Sequence, residues 1–308
     1  MKPTRRVLLS VLAVGIATPV FAGEISHELG TTMVPENPQR IVVLEFSHID
    51  ALVSVGVVPV GIADDNKPER IMPVYGPVIG DTWTSVGTRK TPSLEVIASL
   101  QPDLILADKT RHTDAYATLS QIAPTVVMDS LSGDYTASVE QMLLIGEAIG
   151  KADAMNARVA DHKATMADYA EKIRPYAQNV RAQFGVANGE ALFLHAPSSY
   201  NGSLLASLGF APAMTPNEGE GYESNYVTTT LEQLSEINPD VLIIGEYADP
   251  SVTDNWENDA LWNALKAVKD ARVYNVEANT WSRLRGMVAA EQTAQDLLTI
   301  VGADGSDS

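Results

Sequence analysis

From Arg40 onward, short runs rich in Val, Ile and Leu alternate with stretches whose apolar positions recur at helical spacing. The runs IVVL (41–44), PVGIA (59–63), DLILA (103–107) and TVVM (125–128) predict strands of a parallel sheet covered by helices on both faces. The text between them predicts helices at 47–55, 93–100, 112–122 and 136–149. A second series, VRAQFGVA (180–187), EALFLH (190–195), DVLIIG (240–245) and RVYNV (272–276), alternates with helices predicted at 202–208, 230–237, 259–267 and 282–300. One phrase occurs in both series. PSLEVIASLQPDLIL from Pro92 and TTLEQLSEINPDVLII from Thr229 align at an offset of 137, matching Glu95 with Glu232, Pro102 with Pro239 and Asp103 with Asp240. Such self-similarity marks two equivalent lobes.

Residues 151–174 lie between them and contain neither Gly nor Pro. Met155, Val159, Met166, Tyr169 and Ile173 recur at roughly helical spacing, so a rod of about 35 Å is expected, ended by Pro175. The predicted architecture is α/β: two Rossmann-like lobes, 23–150 and 175–308, joined by a single long α-helix over 151–174. A stiff connection of this kind predicts a cleft of nearly fixed width.

The first 22 residues stand apart. A basic start, MKPTRR, precedes an apolar run too short to span a bilayer and a small-residue cleavage pattern ending at Ala22. The chain is therefore expected to be exported to the periplasm and cleaved near Ala22. Losing Lys2, Arg5 and Arg6 takes the formal charge from −18 to −21, which disfavours nucleic acid and anionic lipid as partners. There is no cysteine, hence no disulfide, thiolate metal site or Cys nucleophile. The five histidines show no metal-ligand spacing, so a metal is expected to arrive already chelated.

Enzyme signatures are missing. GEAIGKA (146–152) has one residue too few for a phosphate loop, and neither GxSxG nor a strand-linked GxGxxG occurs. Arginines at strand–loop junctions stand out instead: Arg89, Arg111, Arg283 and Arg285. One surface arginine is ordinary. Four at the strand ends where open α/β sheets bind ligands, in so acidic a chain, point to an anion-binding cleft. Trp281, His112, His195 and Tyr200 occupy similar junctions and are expected to form its walls. Glu95 and Glu232 complement their helix dipoles, and their repetition suggests a shared surface role.

With these residues assembled, the chain resembles the periplasmic substrate-binding proteins that serve ABC importers of iron–siderophore complexes and vitamin B12. The likeness runs from about Gln39 to Val301 and rests on PQRIVVLEFSHIDALVSVGVVPVGIADDN, SVGTRKTPSLEVIASLQPDLILAD, TRH (110–112) and NTWSRLRGMVAAE. The resemblance implies a monomeric, non-catalytic receptor that delivers its ligand to an inner-membrane permease dimer with ATPase subunits. Glu95 and Glu232 would dock on that permease. It also implies that Arg89 contacts the ligand's acidic groups; Arg111, Arg283 and Arg285 depart from the hydroxamate-binding pattern, and their added charge fits the carboxylates of a ligand such as iron(III) dicitrate. Iron would be coordinated by citrate, with no resident cofactor and no direct protein–metal bond. Another α-hydroxycarboxylate siderophore or haem are alternative ligands; haem would require His195 or Tyr200 as an axial ligand. An exported hydrolase is the remaining alternative, although no nucleophile–base pair can be assembled from motifs.

Overall fold

The computed structural model describes residues 21–215 and 223–302. Most of the expected export signal, residues 1–20, therefore lies outside the described residues. A hairpin of β1 (Phe21–His27) and β2 (Gly30–Pro35) precedes the first lobe. Five parallel strands follow: β3 (Ile41–Val43), β4 (Gly61–Ile62), β5 (Thr84–Ser85), β6 (Leu104–Asp108) and β7 (Thr125–Met128). Their spatial order is β5-β4-β3-β6-β7. Every described residue of β3, β4, β6 and β7 is buried, as strands covered on both faces must be. The covering helices are α1 (Phe46–Ser54), α2 (Met72–Ile79), α3 (Leu94–Ser99), α4 (Lys109–His112), α5 (Tyr116–Ile122) and α6 (Tyr135–Ala148).

The rod is α7 (Ala152–Ala177). Pro175 does not end it; it sits in the last turn, where only one backbone bond is lost, and Gln178 N–H still closes onto Arg174 O. Met155 and Val159 of α7 pack into the first lobe's core, whereas Met166, Ile173 and Ala177 pack into the second lobe's. One stripe of a single helix thus belongs to two cores in succession.

The second lobe contains β8 (Arg181–Ala187), β9 (Leu192–His195), β10 (Ala211–Pro212), β11 (Tyr226–Thr229), β12 (Val241–Glu246) and β13 (Val273–Val276). Its helices are α8 (Tyr200–Ser207), α9 (Leu231–Ile237), α10 (Val252–Trp256), α11 (Ala260–Ala264), α12 (Lys266–Lys269), α13 (Ala278–Ser282) and α14 (Met287–Ile300). This sheet, β11-β9-β8-β12-β13 with β10 beside β8, is mixed rather than parallel. Asn188-Gly189 turns the chain back so that β9 runs antiparallel to β8, with Asn188 Oδ1 accepting from the Glu190 and Ala191 N–H groups.

The repeated phrase folds alike in both lobes. Ser93 and Thr230 cap α3 and α9, accepting from Val96 and Gln233 N–H. Gln101 and Asn238 end them at positive φ, 47° and 43°. Asp103 then accepts from the Gln39 and Arg40 N–H groups, as Asp240 does from Arg181 N–H. Both arginines donate back to the carbonyls that end the helix. The repeated Pro-Asp is therefore a clasp from each helix end to the start of a neighbouring strand.

The helix expected over 282–300 is broken. Between α13 and α14, Gly286 adopts φ 129° and ψ −162°, a conformation in effect reserved for glycine. A Cβ there would lie 2.4 Å from Asp50 Cγ. Asp50, on α1, instead caps α14 by accepting from the Val288 and Ala289 N–H groups at 3.1 and 2.9 Å. Leu284, Met287 and Ala289 enter the first lobe's core, so the end of the chain grips the opposite lobe.

Candidate functional site

A cavity of about 210 Å³ lies between the lobes at the carboxyl ends of their strands. In the first lobe Glu45 follows β3 and Arg111 follows β6, the adjacent strands at which the sheet order reverses. Such a switch point leaves a crevice because consecutive connections depart in opposite directions. Arg89, Ser47, Ser130 and Leu131 complete this wall. The facing wall presents His195, Tyr226, Tyr247, Arg283 and Arg285, with Val186, Phe193 and Ser282. All four arginines singled out in the sequence thus meet around one space, joined by a single lining carboxylate among the described residues.

That carboxylate is Glu45, which is buried. Its Oε1 lies 2.5 Å from Arg111 Nε and its Oε2 lies 3.4 Å from Arg89 Nη1. Arg89 is held from every side. Its Nε and Nη2 donate to Asp65 Oδ2 at 3.1 and 2.8 Å, and its guanidinium lies 3.9 Å above the Phe46 ring. Burial pushes the Asp65 carboxyl up, but Arg89 and then Arg70 outweigh it and hold it at about 2.

His112 does not line the cavity; it stands behind Arg89. Its Nδ1 accepts from Asp108 N–H at 2.9 Å, which places the ring proton on Nε2, and Nε2–H donates to Arg89 O at 2.8 Å. Asp108 in turn caps α4 through Arg111 N–H and accepts from Ser130 N–H and Oγ–H. One buried Asp–His pair therefore sets the backbone of both first-lobe arginines.

Across the cleft, Arg285 spans the lobes. Its Nη1 donates to Ser130 O and Leu131 O at 2.8 and 2.9 Å, and its Nη2 donates to the Tyr226 hydroxyl. Arg283 stacks 4.3 Å over the Tyr247 ring, and among the described residues its buried Nε has no hydrogen-bond partner. Burial pulls its pKa below the usual arginine value; Tyr247 opposes this, while Arg70 and Arg89 add to it. Of the four, Arg283 has its charge least committed within the protein.

His195 lines the cavity as a neutral donor. Asn201 Nδ2 donates to Trp281 O at 2.6 Å, which fixes the amide's orientation, and the same Nδ2 lies 3.3 Å from His195 Nδ1. Nδ1 must then accept, and the proton resides on Nε2. Burial, reinforced by Arg285, lowers the His195 pKa to about 3. Tyr200 and Trp281, expected as walls, lie behind the lining. Both are buried: Tyr200 donates its hydroxyl to Gly286 O, and Trp281 Nε1 donates to Asp296. Their apolar rings fill the second lobe's core, which a strand-end position alone does not reveal. Glu95 and Glu232 are exposed and do not line the cavity.

Several lining groups escaped the sequence reading. Glu45 reads as a solvated residue after a strand, and its partners are 44 and 66 residues away. Tyr226 and Tyr247 follow no motif. The VLIIGE strand that ends just before Tyr247 is the available signal, as is the YVTT strand that Tyr226 opens.

A family model for periplasmic binding proteins matches residues 41–280. The Fe(3+) dicitrate-binding periplasmic protein FecB of Escherichia coli (strain K12) is 40% identical over 291 residues, covering 92% of either chain. The Fe(3+)-citrate-binding protein YfmC of Bacillus subtilis (strain 168) is 40% identical over 274 residues, covering 89% of this chain and 84% of its own. In fold, the chain is similar to SirA of Staphylococcus aureus in complex with staphyloferrin B. The TM-score is 0.75 at 23% identity, over 91% of this chain and 99% of that one.

Proposed function

The chain belongs to the periplasmic binding protein family, and from that membership we propose that it is the receptor of an iron ABC importer, with iron(III) citrate as its ligand. The observation that carries this reading is the meeting of Arg89, Arg111, Arg283 and Arg285 around one cavity lined, among the described residues, by a single carboxylate. Citrate carboxylates pair with guanidinium groups, while the hard oxygen ligands of citrate keep the iron. The receptor is exported, monomeric and non-catalytic in this reading. Residues 23–150 and 175–308 act as lobes on the 151–174 rod. Haem is disfavoured by two features: His195 presents a protonated Nε2, and the Tyr200 hydroxyl is tied to Gly286.

The direct test is calorimetric titration of the mature protein with ferric citrate, citrate alone and a hydroxamate siderophore. Stoichiometric binding of ferric citrate, with its release unchanged, is expected; binding of the hydroxamate alone would overturn the ligand. Glu95 and Glu232 serve as docking points for the permease in this reading. Glu95→Arg and Glu232→Arg should keep ferric citrate affinity and lose iron uptake in cells, the double reversal most of all. Normal uptake by both would reduce them to helix-dipole complements.

A further inference from the structure

We propose that the start of α1, together with the Ser47 hydroxyl, is a carboxylate subsite of the cleft, distinct from its arginines. The proposal rests on the ferric citrate reading and adds a second kind of donor to it.

The nine-residue helix α1 opens onto the cavity, since Glu45 at its N-cap and Ser47 in its first turn both line the space. Glu45 has the extended backbone of a cap residue, φ −139° and ψ 153°, yet its side chain caps nothing. Arg111 and Arg89 draw the carboxylate away. The His48 N–H closes onto Glu45 O at 3.2 Å, but among the described residues no side chain accepts from the Phe46 or Ser47 N–H, so these two donors remain unanswered.

Ser47 supplies an independent observation. It is only 7% exposed, and its Oγ is buried without a hydrogen-bond partner among the described residues. A buried hydroxyl in a folded protein ordinarily has a partner. Here the missing partner is an acceptor: the neighbouring helix amides and the facing guanidiniums are donors, and the Glu45 carboxylate beside them is drawn onto Arg111 and Arg89. An oxygen anion in the cleft answers the hydroxyl, the amides and the positive end of the helix together. The same molecule shows the pairing elsewhere: the Asp50 carboxylate occupies the start of α14 through the Val288 and Ala289 N–H groups. The ligand chemistry is a carboxylate on a polycarboxylate, one arm at Ser47 and the others on the arginines.

The test compares wild type, Ser47→Ala, Ser47→Asp and Arg283→Ala by calorimetric titration with ferric citrate and by thermal melting. Ser47→Ala should bind about tenfold more weakly with an unchanged melting temperature, because the hydroxyl has no partner in the empty protein. Ser47→Asp places a carboxylate at the subsite. It should melt no lower than wild type and lose at least about a hundredfold in affinity. Wild-type-like affinity in both Ser47 variants, while Arg283→Ala is weakened, overturns the subsite and leaves the receptor reading intact. A lowered melting temperature in Ser47→Ala with unchanged affinity assigns the hydroxyl to folding and also overturns it. Failure of the wild type to bind ferric citrate overturns both.

Discussion

Removing the Arg89 side chain would take from buried Glu45 and half-buried Asp65 the cation they share, leaving each one remaining partner, Arg111 and Arg70. An uncompensated buried carboxylate costs about 3 kcal/mol and a partly compensated one less, so Arg89→Ala should lower stability in urea unfolding as well as weaken ligand binding. Arg283 differs, because it stacks on Tyr247 and has no ion pair among the described residues. Arg283→Ala should lose about 2 kcal/mol of ligand affinity, roughly thirtyfold, with stability near wild type. The arginines were legible in the sequence as a group. Their division into a scaffold member and a ligand-facing member was not, since it depends on carboxylates brought in from distant turns. Two aspartates carry opposite pH signatures. Asp65, held at about 2 against an ordinary 3.8, contributes stability above about pH 4 that fades as pH falls towards 2. Burial raises Asp50 to about 6 despite its hydrogen bonds, so its contribution is complete below about pH 4 and is lost as pH rises through 6. Urea midpoints measured from pH 3 to 7 should show that decline, and Asp50→Asn should remove it.

At the scale of elements, the break at Gly286 carries the cleft. Were residues 282–300 one helix, as the sequence pattern predicts, Arg283 and Arg285 would be spread around its circumference. The glycine conformation turns the chain against Asp50 and leaves both guanidiniums in the cavity. Gly286→Ala adds a Cβ to a glycine-only conformation and drives it into Asp50. It should cost more than about 2 kcal/mol of stability and weaken ferric citrate binding, as read by urea unfolding and titration. Strands β3, β4, β6 and β7 were legible because their Val- and Ile-rich runs are buried on both faces; β1, β2, β5, β10 and β11, which lack such runs, were not. Helix α2 was not, because Pro73, Gly76 and Pro77 disguise a segment that tertiary packing holds through Tyr75 and Ile79. The reversed strand β9 was announced only by Asn188-Gly189.

For the whole molecule, further hydrogen bonds brace the lobes besides those of the cleft residues. On α7, His162 joins Glu291 of α14 at 2.7 Å and the Tyr135 hydroxyl at 2.7 Å, while Arg158 reaches the other Glu291 oxygen at 2.8 Å. Asn225 Nδ2 donates across to Ser132 O, and Tyr135 N–H donates to Ser203 Oγ. With one stiff helix and these cross-links, ferric citrate should change the radius of gyration little in small-angle scattering. A large contraction would mean that the lobes hinge freely.

The stripe of α7 shared by two cores has a consequence for how the protein comes apart. Met155 and Val159 cannot leave the first core while Met166 and Ile173 remain in the second unless the helix itself breaks. Leu284, Met287 and Ala289 impose the same bond from the other direction, anchoring the end of the chain beside residues near its beginning. Neither lobe is a separable folding unit. The first lobe's core lacks these residues until the last helix has been made, so its packing is complete only in the whole chain.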